Sequence, residues 1–235
     1  MNNYNNLAES YDSYGKEATT DWILGYLGVI DFLTPLNEKV VLDYGCGTGK
    51  FCRYISEQGA KVIGVDTSEK MIQLGEKNKS ENIEYRKVES GELDFINSYS
   101  VDFAVLNFVT CTISSKVEVV KILKEINRAL EKGGILVILN LNWEKSNGKE
   151  FISCILDYVP RLKSGNKVGV TLKSLTPLAI EDYFWSKNDY LEMLKDANFK
   201  IKSIQEPLAE DNSQKWINED KYPPFLIIVS EKKNI

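Results

Sequence analysis

Residues 40–49 read Val40-Val41-Leu42-Asp43-Tyr44-Gly45-Cys46-Gly47-Thr48-Gly49. The apolar run Val40-Val41-Leu42 predicts a short buried strand that runs into a glycine turn. From Gly49 to Glu57 the pattern turns helical, and Gly59 is its stop signal. The stretch therefore leaves a strand and enters a helix. Glycine suits such a turn because no Cβ blocks a ligand from the backbone. In doubly wound sheets the ligand sits at the carboxyl end of a strand, which is where this turn falls.

The same alternation extends outward from the turn. Val62-Ile63-Gly64-Val65 predicts a second strand, and Ser68 can cap a helix running through Met71 to about Lys79. Further strands are predicted at 83–88, 101–106 and 135–141, with a helix over 116–131 ended by Gly133-Gly134. A helix at 189–197 and strands at 199–204 and 225–230 follow. Strands alternating with helices imply an α/β fold, a parallel sheet with helices on both faces. Upstream, Thr20-Asp21 starts a helix with Trp22, Ile23, Tyr26, Leu27 and Ile30 at helical spacing, and Pro35 ends it. The alternation stops only over 143–187: Trp143, a polar loop, a helix near 149–158, a lysine-rich stretch and the aromatic strand Tyr183-Phe184-Trp185 are expected there.

A chain of 235 residues holds one well-buried core. It is read as a single domain, 1–235, with an N-terminal cap segment 1–35 and an insertion 143–187. The formal net charge of −5 argues against a nucleic-acid surface, which normally carries a basic patch. No apolar run reaches the ~20 residues that span a bilayer, and the polar N-terminus does not read as a signal peptide, so cytoplasmic residence is expected. Cys46, Cys52, Cys111 and Cys154 show no C-x-x-C spacing and there is no histidine, so no metal site is expected. The absence of histidine also removes the imidazole base from any mechanism.

Taken alone, Gly-x-Gly-x-Gly also describes an ordinary glycine-rich turn. The dinucleotide fingerprint requires Gly or Ala where Lys50 stands, and the G-K-[ST] ending of a phosphate loop is missing. Asp66 ends the second predicted strand, about the ~20 residues beyond the turn expected of a ribose-binding acid. The competing role is a helix-capping Asp before Thr67-Ser68.

With both features in place, the sequence resembles the class I S-adenosylmethionine (SAM) dependent methyltransferases of small-molecule type. Residues 41–49 look like their first motif, and Val65-Asp66-Thr67-Ser68 with Met71 like their second. Val88-Glu89-Ser90-Gly91-Glu92-Leu93-Asp94-Phe95, Val101-Asp102-Phe103-Ala104-Val105 and Leu130-Glu131-Lys132-Gly133-Gly134 resemble the segments that follow, in order. The resemblance implies a Rossmann-like doubly wound sheet of seven strands, order 3-2-1-4-5-7-6, with the last strand antiparallel. It also implies that SAM is the cofactor and S-adenosylhomocysteine the product. Gly45 and Gly47, with neighbouring Cys46, then pack against the amino-acid part of SAM, which Asp43 orients. Asp66 binds the ribose beside Thr67, Met71 flanks the adenine, and Glu89 and Ser90 meet its edge. Asn107 and Phe108 line the pocket near the sulfonium. The sequence departs from the family pattern at Glu89, usually Asp, at Asp94, commonly Pro, and at Phe184-Trp185, where a histidine is frequent.

The acceptor side is read from the remaining aromatics. Tyr4, Tyr11 and Tyr14 resemble tyrosines that many small-molecule members place over the SAM pocket; a surface helix is the alternative. Trp143, Tyr183, Phe184 and Trp185 either wall an acceptor pocket or fill the core of an added layer. Candidate catalytic groups are Tyr14, Glu181, Asp182, Tyr183 and Trp185. Lys163, Lys167 and Lys173 form a solvated basic face or bind an anionic acceptor, and Glu206 to Glu219 reads as a solvated acidic loop. The expected activity is methyl transfer from SAM to an N or O atom of a small-molecule acceptor, by a monomer or homodimer with no membrane or nucleic-acid partner. The alternatives are an RNA or protein methyltransferase, or a SAM-binding protein without catalysis.

Overall fold

The computed structural model describes residues 3–15, 19–210 and 214–233. Residues 1–2 and 16–18 of the expected cap segment, 211–213 of the expected acidic loop, and 234–235 lie outside it.

Among the described residues ten strands are seen: β1 (Val40–Tyr44), β2 (Lys61–Asp66), β3 (Ile83–Lys87), β4 (Val101–Asn107), β5 (Leu130–Leu141), β6 (Cys154–Leu156), β7 (Lys167–Leu172), β8 (Leu178–Tyr183), β9 (Phe199–Gln205) and β10 (Phe225–Lys232). Seven of them form one sheet in the order β3-β2-β1-β4-β5-β10-β9. β1 to β5 are parallel, and β10 runs antiparallel to both β5 and β9. With the inserted strands left out of the numbering, this is the expected seven-strand order. β1 and β4 at the centre are almost wholly apolar because helices cover both faces. One face packs Leu42, Leu106 and Ile138 against Ile122, Leu123 and Ile126, and the other packs Val41, Val105 and Val137 against Phe51 and Ile55.

The helices are α1 (Tyr4–Gly15), α2 (Leu27–Ile30), α3 (Lys50–Glu57), α4 (Glu69–Glu76), α5 (Lys116–Ala129), α6 (Trp143–Ser146) and α7 (Lys187–Asp196). Their starts follow local chemistry. The Ser68 hydroxyl accepts the Met71 N–H at 3.2 Å, and Ser186 with Asp189 forms a complete capping box. Three expected boundaries shift. The helix beginning at Asp21 opens as a π-helical turn over Asp21–Tyr26 before α2. The 116–131 helix stops at Ala129, and Leu130 is already extended in β5, ahead of Gly133-Gly134.

The third and largest shift lies in the insertion. No helix forms at 149–158. β6, β7 and β8 instead make an antiparallel sheet of three strands. A short apolar run such as Phe151 to Leu156 suits either element, and pairing with β7 decides it. The strand expected at 183–185 is centred several residues earlier, at Leu178–Tyr183. This small sheet has its own core of Phe151, Cys154, Val170, Ile180, Trp143 and Phe184, closed by Tyr14 of α1.

Candidate active site

The site begins at the end of β1. Gly45 and Cys46 donate their N–H groups to the Val65 carbonyl at 2.7 and 2.9 Å, which ties the turn to β2. Gly45 has φ +77°, and a Cβ there would stand 2.3 Å from Val109 Cγ2. Gly47 has φ +54°, yet a Cβ there would meet nothing within 4 Å, because it faces open space. Gly45 is thus required by packing, and Gly47 by its backbone and by whatever fills that space.

That space is a cavity of about 530 Å³ lying over the carboxyl ends of β1, β2 and β4. Gly45, Gly47, Asp66, Thr67, Met71, Glu89, Ser90, Asn107, Phe108 and Tyr11 all line it. A second cavity of about 380 Å³ adjoins it across the turn and is lined by Asp43, Cys46, Tyr11, Gly45, Gly47 and Asn107. Every residue expected from the resemblance to bind SAM therefore lines one of these two spaces.

The polar groups are held in place from several elements. Asp66 Oδ2 accepts the Gly47 N–H at 2.9 Å and Oδ1 accepts the Ser68 N–H at 2.8 Å. It thus clamps the turn and also supports the start of α4, so the capping role is present together with a place in the cavity. Burial raises its pKa, and the backbone N–H groups of Ser68, Gly47 and Thr67 oppose the rise. Asp43 is 1% exposed, and burial lifts it to about 7 against a hydrogen bond from Cys52 Sγ at 3.1 Å. The Ser90 hydroxyl donates to Glu118 Oε1 at 2.7 Å, and Tyr44 Oη accepts the Gly91 N–H at 2.7 Å, which fixes the 88–91 segment. Asn107 has neither amide atom hydrogen-bonded although both are buried. A buried amide with both functions open beside a cavity is suited to a polar ligand. Phe108, next to it, has φ +58°, a strained backbone of the kind found at ligand sites.

α1 forms the roof. Asn5 Oδ1 accepts the Ser68 hydroxyl at 2.8 Å, and Asn3, Tyr4, Asn5 and Tyr11 line the large cavity. Beside α1, a third chamber of about 30 Å³ is lined by Tyr4, Tyr11, Tyr14, Asp21, Phe108 and Asp182, with Cys154, Val170, Leu172, Ile180 and Leu141. Tyr14 Oη donates to Asp21 Oδ2 at 2.5 Å. Burial raises Asp21 to about 6, opposed by Tyr14 and Lys50, and raises Asp182 to about 7, opposed by the Cys111 thiol.

The remaining candidates lie elsewhere. Glu181 is on the outer face of β8 and pairs with Lys167 at 3.1 Å. Tyr183 packs half-buried against the main core, and Trp143 and Phe184 fill the small sheet. Trp185 donates its indole N–H to the Thr110 and Ile113 carbonyls at 3.2 and 3.1 Å, inside the main core; it lines none of the three spaces and stands behind Ile113, which lines the large one. Pairing with β7 sets the register of β8, so Ile180 and Asp182 are buried and Glu181 is exposed, while Trp185 lies past the end of the strand. Trp185→Phe is accordingly expected to cost about 1–2 kcal/mol in a denaturant titration, the worth of the lost hydrogen bonds, with SAM affinity unchanged. A large loss of SAM affinity in the folded variant would contradict this placement. Lys173 pairs with Glu150 at 2.8 Å on the surface, as a solvated face would. The acidic loop is less solvated than expected: Glu206 pairs with Lys187 at 2.7 Å, and Glu219 is fully buried. Sequence reading missed Asn5 and Glu118 as lining residues and took Asp21 only as a helix start. No local signal marks them, because each reaches the site through contacts between distant segments.

Comparison with known proteins agrees with this geometry. Residues 42–138 match a methyltransferase domain family. The chain is 30% identical to N-demethylindolmycin N-methyltransferase of Streptomyces griseus, over 94% of this chain and 95% of that protein. It is 27% identical to a ubiquinone/menaquinone biosynthesis C-methyltransferase of Campylobacter jejuni, over 84% of this chain and 88% of that protein. The fold is shared with an S-adenosylmethionine dependent methyltransferase from Mesorhizobium loti, with a TM-score of 0.65 at 18% identity, covering 91% and 98% of the two chains. Sheet order, turn geometry and full-length similarity together establish that this chain belongs to the SAM-dependent methyltransferases, with SAM as its cofactor and S-adenosylhomocysteine as the product.

Proposed function

We propose that the chain transfers the methyl group of SAM to a nitrogen or oxygen atom of a small-molecule acceptor, within one domain that carries its cap at 1–35 and its acceptor-side insertion at 143–187. The observation that carries this reading is the small chamber between α1 and the small sheet, which shares Tyr4, Tyr11 and Phe108 with the large cavity. Its size suits the reacting end of a small molecule. The Streptomyces griseus relative, named for N-methylation of N-demethylindolmycin, supports a small acceptor and favours nitrogen. Among the described residues no helix is long and apolar enough to cross a membrane.

The lining of the large cavity suits SAM in its mix of polar and apolar groups. Asp66 keeps lone pairs for the ribose hydroxyls beyond those given to Gly47 and Ser68. Met71 and Ile122 are apolar residues lining the same cavity as Ser90 and Glu118, a mixed lining suited to the adenine. Asp43, Asn107 and the Gly45–Gly47 backbone offer polar groups to the amino-acid end. When bound, SAM supplies an activated methyl on a sulfonium. The chain has to hold the acceptor in line with it, keep water out, and receive a proton. α1 closes the site, and the faces of Tyr11 and Phe108 favour positive charge next to it.

The test is methyl transfer from labelled SAM to a panel of amines and alcohols, with wild type and Tyr14→Phe compared. Tyr14→Phe removes the hydroxyl that holds Asp21, and should lower acceptor kcat/KM about tenfold, the worth of one hydrogen bond to a carboxylate, with SAM affinity unchanged. Label entering RNA or protein but no member of the panel would overturn the small-molecule reading.

A further inference from the structure

We propose that the acceptor enters the chamber as a protonated amine and that the Asp182 carboxylate receives its proton; this rests on the small-molecule reading above and specifies its substrate class. Two carboxylates line the chamber, and among the described residues no lysine or arginine does. The two differ in what already satisfies them. Asp21 accepts the Tyr14 hydroxyl at 2.5 Å. Asp182 is 3% exposed, and its Oδ1 has no hydrogen-bond partner. A buried carboxylate oxygen without a donor is costly, and a ligand that brings both a donor and a positive charge relieves it.

The surroundings select for a cation. Tyr4, Tyr11 and Phe108 put aromatic rings in its lining, and Cys154, Val170, Leu172 and Ile180 make the rest of it apolar. The titratable groups facing Asp182 are Tyr11 and Tyr14 from α1, Asp21 from the π-helical turn, Cys111 from the turn after β4, and Tyr190 from α7. Burial raises the pKa of every one of them, so the tyrosines and the thiol stay protonated and neutral near pH 7. Asp182, itself lifted to about 7, is then an acceptor matched to neutral conditions.

The step balances. The ammonium proton passes to Asp182 Oδ1. The freed nitrogen lone pair forms a bond to the methyl carbon as the carbon–sulfur bond breaks, its electrons staying on sulfur. The products are an N-methylated ammonium, a neutral thioether and a neutral Asp182, whose proton goes to water when the site opens.

The experiment uses benzylamine and benzyl alcohol as matched probes, which share a body and differ in the ammonium. Calorimetry measures each probe on the S-adenosylhomocysteine complex of wild type, Asp182→Asn and Glu181→Gln. In parallel, carboxyl-¹³C aspartate NMR follows the Asp182 titration in the protein without cofactor. Wild type should bind the amine at least about tenfold tighter than the alcohol, the scale of one charge-assisted contact. Asp182→Asn should lose that preference, Glu181→Gln on the outer face should keep it, and the Asp182 resonance should titrate near neutrality and move to lower pH with benzylamine. Equal binding of the two probes, or a preference that survives Asp182→Asn, overturns the role of Asp182 and leaves the small-molecule reading standing. Binding of neither probe overturns both.

Discussion

Gly47→Val should reduce SAM affinity more than a hundredfold, and Asp66→Ala should reduce it by about 1.5–3 kcal/mol, the range for hydrogen bonds to a charged group. Gly47 has φ +54° and a Cβ position that meets no protein atom, so a side chain there enters the space assigned to the cofactor. Valine adds branching in a backbone region that branched residues avoid. Gly47→Ala separates the two causes: it carries the left-handed strain, about 1–2 kcal/mol, with far less intrusion. Asp66→Ala acts differently. It removes the acceptor proposed for the ribose and also frees the Gly47 and Ser68 N–H groups it holds. Isothermal titration of SAM, with thermal midpoints measured alongside, checks both variants. A folded Gly47→Val protein with wild-type affinity would mean that the turn does not face the cofactor. The same result for Asp66→Ala would reduce Asp66 to its local structural bonds.

Glu219→Ala should destabilise the fold by about 3–5 kcal/mol, since several buried donors lose their partner at about 1–3 kcal/mol each. Glu219 is 0% exposed. Its Oε1 accepts the Thr20 hydroxyl at 2.7 Å and the Ile152 N–H at 2.6 Å, and its Oε2 accepts the Ile217 and Asn218 N–H groups at 2.9 and 3.1 Å. One carboxylate therefore joins three segments: the start of the π-helical turn, the insertion, and the loop before β10. Burial pushes its pKa up, but these donors outweigh burial and hold it below the usual glutamate range. The stability it contributes is present above the unfolded pKa and is lost as pH falls through the depressed folded value. Urea titrations of wild type and Glu219→Ala between neutral and acid pH should therefore converge as pH falls. Glu219→Gln, which keeps one acceptor oxygen, should fall between them. A pH-independent gap would show that the carboxylate charge does not carry the effect.

Much of the cofactor half was readable before any fold was known. The strand into Gly45-Cys46-Gly47, the strand into Asp66 and the serine-capped α4 all depend on residues within a few positions of one another. Period, turn chemistry and capping act at that range. The ordered motifs then implied Asp43, Met71, Glu89, Ser90, Asn107 and Phe108, and all of them line the two larger spaces. The acceptor half was not readable in this way. The 143–187 segment has no helix-long period, and its strands exist because β6 and β8 pair with β7. Until that pairing fixes the register, nothing decides which of Glu181 and Asp182 faces the chamber, because a shift of one residue exchanges the two faces of a strand. The same holds for residues far apart in the chain. Asn5 reaches Ser68, Tyr14 reaches Asp21, and Glu219 reaches Thr20 and Ile152. By itself, then, the sequence determined the α/β sheet, its glycine turn and the acid that ends β2, because those are local signals repeated along the chain. Only the tertiary structure decided which acid lies buried against the small chamber and which buried carboxylate ties the insertion to Thr20 and the loop before β10, because both follow from contacts between segments whose sequences are silent about each other.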